Sequence, residues 1–326
     1  MSITFKHTII HVLDLTMNMP LFSTDLLVLN DETESFITRH LMKIFESSSS
    51  SDAIFKEEAS LPKVLEMPLD AEAFTRLSHE MAEVFYRYMT EYGTIPSGDL
   101  ILTSFMMDGG NYLGIFKLNY KEEFTHFVEH NEAGVVARII KHKGIFPSAS
   151  KQVDEGVIIN TDNLEVILLD GTKSKYLSLL FDLEPALSVK ETIKAIEKVA
   201  TKVIEEHYDN PVSALTELKN NISESIARTQ TIPVQEIMEQ TFGSDEEVFE
   251  SCTMKMEEYG IKEAKIEIAD PKITNKFASQ KLKTDTGIEL KFPTHLFKDP
   301  DFIEVVNNPN GTLSIVLKNI SQITNK

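Results

Sequence analysis

The sequence predicts an α+β protein, with an N-terminal antiparallel sheet carrying two helices, a central helical bundle-like region and a C-terminal β-rich region. Three observations lead there. Short apolar runs joined by Gly, Asn and Asp turns recur along the first part of the chain, and hairpin after hairpin means antiparallel pairing. Between residues 188 and 260 apolar residues fall three and four apart, the period of amphipathic helices. Strand-like alternation then returns. The expected organisation is therefore an α+β sheet domain over 1–186, a helical region over 187–260 and a β-rich, Lys-containing region over 261–326.

In the first region, Ile9–Leu13 and Leu26–Leu29 read as strands around a loop at Met17–Phe22. Asp31 and Glu34 have the spacing of a capping box and open a helix bearing Phe36, Leu41, Ile44 and Phe45. Ser47–Ser51 ends it as a flexible loop. Asp70 caps a second helix, whose Phe74, Leu77, Met81, Val84 and Tyr88 make one stripe. Leu100–Met107 and Tyr112–Leu118 flank Asp108-Gly109-Gly110-Asn111, a hairpin turn in which Gly supplies the positive φ. Val135–Ile140 is another strand, and Gly156–Ile159 with Leu164–Leu169 forms a second hairpin. Both helices are expected to cover one face of the resulting sheet.

In the second region, Ser188 and Glu191 form a capping box ahead of Val189, Ile193, Ile196, Val199 and Val203. Asn210-Pro211 opens a helix with Leu215, Leu218, Ile222 and Ile226 on one face. Pro233 opens a third, and Ser244 with Glu247 caps a fourth that stops at Gly260. In the third region, Ile266–Ile268 and Gly287–Phe292 read as strands, Ile288, Leu290 and Phe292 facing one way. Phe302–Val306 and Thr312–Lys318 make a hairpin around Asn307–Gly311. No repeat of 20 to 50 residues is present.

Composition bounds the function. The chain has 326 residues, 51 acids against 32 bases and a net charge of −19, and 42% apolar residues supply ordinary cores. No apolar run approaches the ~20 residues of a membrane span, so no membrane is expected. The start, MSITFKHTII, lacks the pattern of a signal peptide. The single Cys252 excludes an intramolecular disulfide and fits a reducing cytosol. A chain at −19 is repelled by phosphate, so DNA binding needs a local basic surface. Pro271–Lys298 holds six Lys and two acids, a local +4, and Arg138–Lys151 holds four bases and no acid. The acids concentrate in Ser244–Glu258.

Several chemical signals fail on inspection. His126 and His130, with Glu122, Glu123 and Glu129 nearby, would share a face if helical, but a solvated polar turn explains them better. His40 and His79 are expected on helix flanks. Neither GxxxxGK[ST], GxGxxG nor GxSxG occurs. Carboxylates around Cys252 should raise its thiol pKa and disarm it as a nucleophile. A helix-turn-helix at Pro233–Phe242 and Asp245–Glu258 fails on sign, because the reading helix would carry six acids against Lys255. Asp285, Glu289 and Lys291 spell the D…ExK of metal-dependent nucleases, although a charged outer strand face produces the same letters.

Leu282–Ile320, LKTDTGIELKFPTHLFKDPDFIEVVNNPNGTLSIVLKNI, and Glu155–Gly171, EGVIINTDNLEVILLDG, resemble the bacterial 37 kDa nucleoid-associated protein family (NdpA-type). The opening IIHVLDL, the acidic helix containing His40 and the Ser-rich turn follow the same arrangement. The resemblance covers nearly the whole chain. It implies a cytoplasmic, nucleoid-associated bacterial protein that binds DNA, with no assigned catalysis or cofactor, and it hands over no binding residues. From the residues themselves, Lys272, Lys276, Lys281, Lys283, Lys291 and Lys298, helped by Arg138, Lys141 and Lys143, are the candidates for phosphate-backbone contact without base readout. The partners expected are DNA, direct or indirect, a basic DNA-maintenance protein on the acidic helices, and a second copy in a homodimer. Two alternatives are an acidic protein–protein interaction module recruited to the nucleoid by such a protein, and a metal-dependent nuclease at Asp285, Glu289 and Lys291.

Overall fold

Turn chemistry builds the N-terminal sheet. A computed structural model describes residues 3–17, 19–131, 134–148, 153–171, 175–208, 211–261, 265–297 and 299–324. It divides into two compact units, Met1–Ser188 and Val189–Lys326. The first contains β1 (Ile3–Leu13), α1 (Asp31–Glu46), β2 (Ser51–Phe55), α2 (Leu61–Leu65), α3 (Ala71–Tyr92), β3 (Gly98–Met107) and β4 (Gly110–Asn119). There follow β5 (Lys121–Asn131), β6 (Gly134–Ile145), β7 (Glu155–Asn160), β8 (Val166–Asp170), α4 (Leu177–Leu180) and β9 (Leu183–Pro185). Asp108 and Gly109 both take positive φ, 51° and 91°, the geometry of a two-residue type I′ turn, and β3 and β4 pair from Met107↔Gly110 onward. Seven strands pair antiparallel in the order β1-β3-β4-β7-β8-β2-β9, while β5 and β6 pair only with each other.

The expected α+β class holds, but the two helices lie on opposite faces of the sheet. Phe74, Leu77 and Phe85 of α3 pack with Leu100, Leu102 and Leu113, whereas Ile37, Leu41 and Ile44 of α1 pack with Ile101, Phe105 and Phe116. Successive residues of β3 thus serve different cores, and a strand buried on both sides reads as a continuous apolar run. Two glycines admit α1. A Cβ at Gly114 would stand 2.7 Å from Leu41 Cδ2, and one at Gly156 would stand 2.6 Å from Ile44 Cδ1. His40, expected on a flank, is fully buried, edge-on to Phe36 and stacked on Phe116.

Other local expectations shift. Asn30, not Asp31, caps α1, its side chain accepting from Thr33 N while Thr33 returns a bond to Asn30 N. Asp70 caps α3 as expected, accepting from Ala73 N at 2.9 Å. Leu26–Leu29 is not a strand. Its segment touches the open edge of β1 through a Val12–Leu21 bridge and the Leu27 N–H to Thr8 carbonyl bond, too few bonds for a ladder. The polar stretch around His126, expected as a turn, is strand β5, and Val135–Ile140 lies within β6.

The second unit contains α5 (Val189–His207), α6 (Pro211–Thr229), β10 (Thr231–Pro233), α7 (Val234–Phe242), α8 (Glu246–Glu258), β11 (Lys265–Glu267), α9 (Pro271–Phe277), β12 (Ser279–Lys283), β13 (Glu289–Pro293), β14 (Ile303–Asn307) and β15 (Leu313–Leu317). One apolar cluster joins Ile196 and Val203 of α5, Ile222 of α6, Phe242 of α7 and Cys252 of α8 to Ile266, Ile273 and Phe277. The segments 187–260 and 261–326 therefore share a core. Asp245, not Ser244, caps α8 by accepting from Val248 N. The Asn210 cap expected for α6 lies outside the described residues. Helix α9 and strand β12 were not anticipated by the residue pattern.

Candidate nucleic-acid interface

The lysine-rich stretch folds into a helix and a hairpin with one wet and one dry face. In β12–β13 the partners are Lys281↔Lys291 and Lys283↔Glu289, with Gln280↔Phe292 and Leu282↔Leu290 on the alternate positions. Side chains alternate along a strand, so Lys281, Lys283, Glu289 and Lys291 share the outer face. Gln280 and Phe292 are buried on the other. Gln280 Nε2 donates to Asn220 Oδ1 at 3.2 Å and Phe292 stacks on Phe297 at 5.8 Å, so the hairpin is fastened to α6 by its dry side.

Two lysines facing each other across a ladder repel. Glu289 moderates this by reaching Lys281 at 2.7 Å and Lys283 at 3.9 Å, which leaves the outer face with three ammonium groups around one carboxylate. Helix α9 adds Lys272 and Lys276, both exposed. Asp270 caps α9, its side chain accepting from Lys272 N. Lys276 Nζ meets Glu197 at 2.7 Å and lies 5.2 Å from the Phe277 ring. Exposed pairs of this kind contribute at most about 1 kcal/mol. A phosphate, which forms charge-assisted bonds to the same groups, can displace them. The sequence reasoning overlooked Glu197 and Glu289 as the acids holding these lysines; Glu289 lies two residues before Lys291, whereas Glu197 is far away in the chain. Lys298 lies outside the described residues.

Arg138, Lys141 and Lys143 occupy β6 in the other unit. Arg138 meets Glu129 at 3.3 Å and Lys141 pairs with Glu122, both across the β5–β6 ladder. The alternative chemistries find little support in the geometry. His126 and His130 share a face of β5, but four residues of strand separate them by ~13 Å, too far to share an ion. Among the described residues no group of three or more His, Cys, Asp and Glu could hold a metal. Asp285 sits in the exposed β12–β13 turn, accepting from Thr286 N, while Glu289 is engaged by lysines. The Cys252 thiol is pushed up to about 11, the expected direction, but burial is the cause rather than the carboxylates of its helix.

The acidic helix also keeps its sign in three dimensions. Glu246, Glu247, Glu250, Glu257 and Glu258 of α8 are all exposed. Among the described residues, no helix is long and apolar enough to cross a membrane. No curated protein matches the chain. The family model described as nucleoid-associated protein YejK matches residues 9–324, so the chain belongs to this 37 kDa nucleoid-associated protein family.

Proposed function

We propose that the chain is a cytoplasmic DNA-binding protein of the bacterial nucleoid that grips backbone phosphates without reading base sequence and does no chemistry on the DNA. The observation that carries this is the outer face of β12–β13, where three lysines surround one glutamate in a protein of net charge −19. Lys272 and Lys276 extend that surface along α9. Arg138 and Lys141, in the first unit, are matched by acids within their own ribbon.

Fluorescence anisotropy of a labelled ~30-bp duplex over a salt series tests it. Each phosphate neutralised contributes about −0.9 to the slope of log affinity against log salt, so contacts by Lys281, Lys283 and Lys291 give roughly −3. Lys281→Ala with Lys283→Ala should weaken binding on every sequence alike and flatten the slope by about 2. DNA should stay intact with Mg²⁺ present. No binding at low salt would overturn the reading.

The exposed glutamates of α8 favour a second reading, in which a basic DNA-maintenance protein docks on that helix. Nucleoid localisation lost on Glu246→Lys with Glu250→Lys, with duplex affinity of the purified chain unchanged, would favour it over direct contact.

A further inference from the structure

Helices α6 and α7 of the second unit border a small polar cavity. Its volume is about 160 Å³. A cavity of ~150 Å³ takes benzene, so this one suits a ligand of roughly six to eight heavy atoms. Glu224, Ser225 and Arg228 line it from α6, and Pro233, Glu236 and Ile237 line it from α7 and its N-cap. Residues three and four apart share a helix face, so each helix contributes one stripe.

Three features of the lining ask for a ligand. The first is an orphaned hydroxyl. Other hydroxyls on these helices donate to a carbonyl one turn back, Thr229 to Ser225 O at 2.9 Å and Thr241 to Ile237 O at 2.7 Å. Ser225 is only 6% exposed, yet its Oγ has no partner among the described residues. A buried hydroxyl is costly in that state unless something else meets it. The second is charge held apart. Arg228 and Glu236 line the same cavity, but among the described residues neither side chain forms an ion pair or a hydrogen bond. The third is a bare helix end. Pro233 makes no side-chain cap bond, so the first amides of the nine-residue α7 are left to another acceptor.

We propose that the cavity binds a small α-amino acid as its zwitterion. The lining selects both charges. A carboxylate between Arg228 and the start of α7 meets a guanidinium and uncapped amides, and Ser225 Oγ can donate to it. The ammonium group, two bonds from the carboxyl carbon, answers Glu236 and Glu224. A side chain as short as that of alanine or serine packs on Pro233 and Ile237. A bare cation would leave Arg228 repelled and unmatched, and a bare anion would face two carboxylates. None of these residues belongs to the lysine surface of α9 and β12–β13.

Calorimetric titration of the full chain with L-alanine and L-serine up to ~10 mM tests this, since weak binding of so small a ligand falls in the millimolar range. At least one should bind saturably at one site per chain. Alaninamide keeps only the cation and N-acetylalanine only the carboxylate, and each should bind about tenfold or more weaker than alanine. Arg228→Gln and Glu236→Gln, both at exposed side chains, should each weaken the amino acid about ten- to a hundredfold. Arg228→Gln should not weaken alaninamide, and Glu236→Gln should not weaken N-acetylalanine, a split that general loss of structure would not produce. Lys281→Ala with Lys283→Ala should leave the titration unchanged, because the cavity does not depend on the DNA reading. No saturable binding of either amino acid, alaninamide binding as tightly as alanine, or affinity indifferent to both charge substitutions would overturn the proposal.

Discussion

Replacing His40 with leucine should remove a measurable part of the acid sensitivity of this protein. His40 is fully buried between Phe36 and Phe116, and neither ring nitrogen has a hydrogen-bond partner among the described residues. Burial, reinforced by Lys43 and Arg39, lowers its pKa from 6.5 to about 4. In the unfolded chain the ring takes its proton near 6.5, so between the two values the unfolded state binds more protons and stability rises with pH. The contribution is complete above pH 6.5 and is lost as pH falls toward 4. A shift of that size corresponds to about 3 kcal/mol at ~1.4 kcal/mol per unit, a sizeable share of a typical total of ~5–15 kcal/mol. Urea unfolding of wild type and His40→Leu from pH 7.5 to 4 reads it directly. The variant should be comparable to wild type at pH 7.5 and gain about 3 kcal/mol on it by pH 4. His11, lowered to about 4 by burial and by His79, titrates in the same window in both proteins and drops out of the difference. Parallel pH curves would refute the reasoning, since they would mean that the buried ring is protonated as readily as an exposed one.

Two further outcomes follow from the buried groups. Lys117 and Glu155 face each other across β4 and β7 at 2.6 Å with no exposed side-chain area, and burial lowers the Lys117 pKa against the pull of Glu155. Lys117→Met should cost about 3–5 kcal/mol in urea unfolding by stranding the carboxylate, and adding Glu155→Leu should recover most of it. Cys252 is fully buried with its thiol raised to about 11, so a disulfide reagent at pH 8 should label native protein at a small fraction of the rate seen in denaturant.

The residue pattern revealed elements where the signal is local. Asp108-Gly109 forced a hairpin, Asp70 capped its helix, apolar spacing marked α5 and α6, and Pro233 and the cap before Gly260 marked α7 and α8, because each depends on groups within a few residues. Off-by-one caps at Asn30 and Asp245 arose where neighbouring residues of similar chemistry competed for the same role. The two-sided burial of β3 was written in its unbroken apolar run but was not distinguished from one-sided alternation. Helix α9, at seven residues, is too short to show a period, and it brings Lys272 and Lys276 next to a hairpin that the spacing alone did not define.

The sequence by itself determined that this is an acidic α+β chain with one concentrated basic stretch, and its long motifs carried the family. Those properties are sums over residues or runs of neighbours, and they survive without coordinates. Tertiary structure alone decided which lysines share a face, that Glu289 and Glu197 hold them, and that α1 and α3 sandwich the sheet, with Gly114 and Gly156 admitting α1. It also decided that β5 and β6 stand apart with their apolar faces open. Each of these depends on strand register and on contacts between residues distant in the chain, and a one-residue change of register would send every side chain of a strand to its other face.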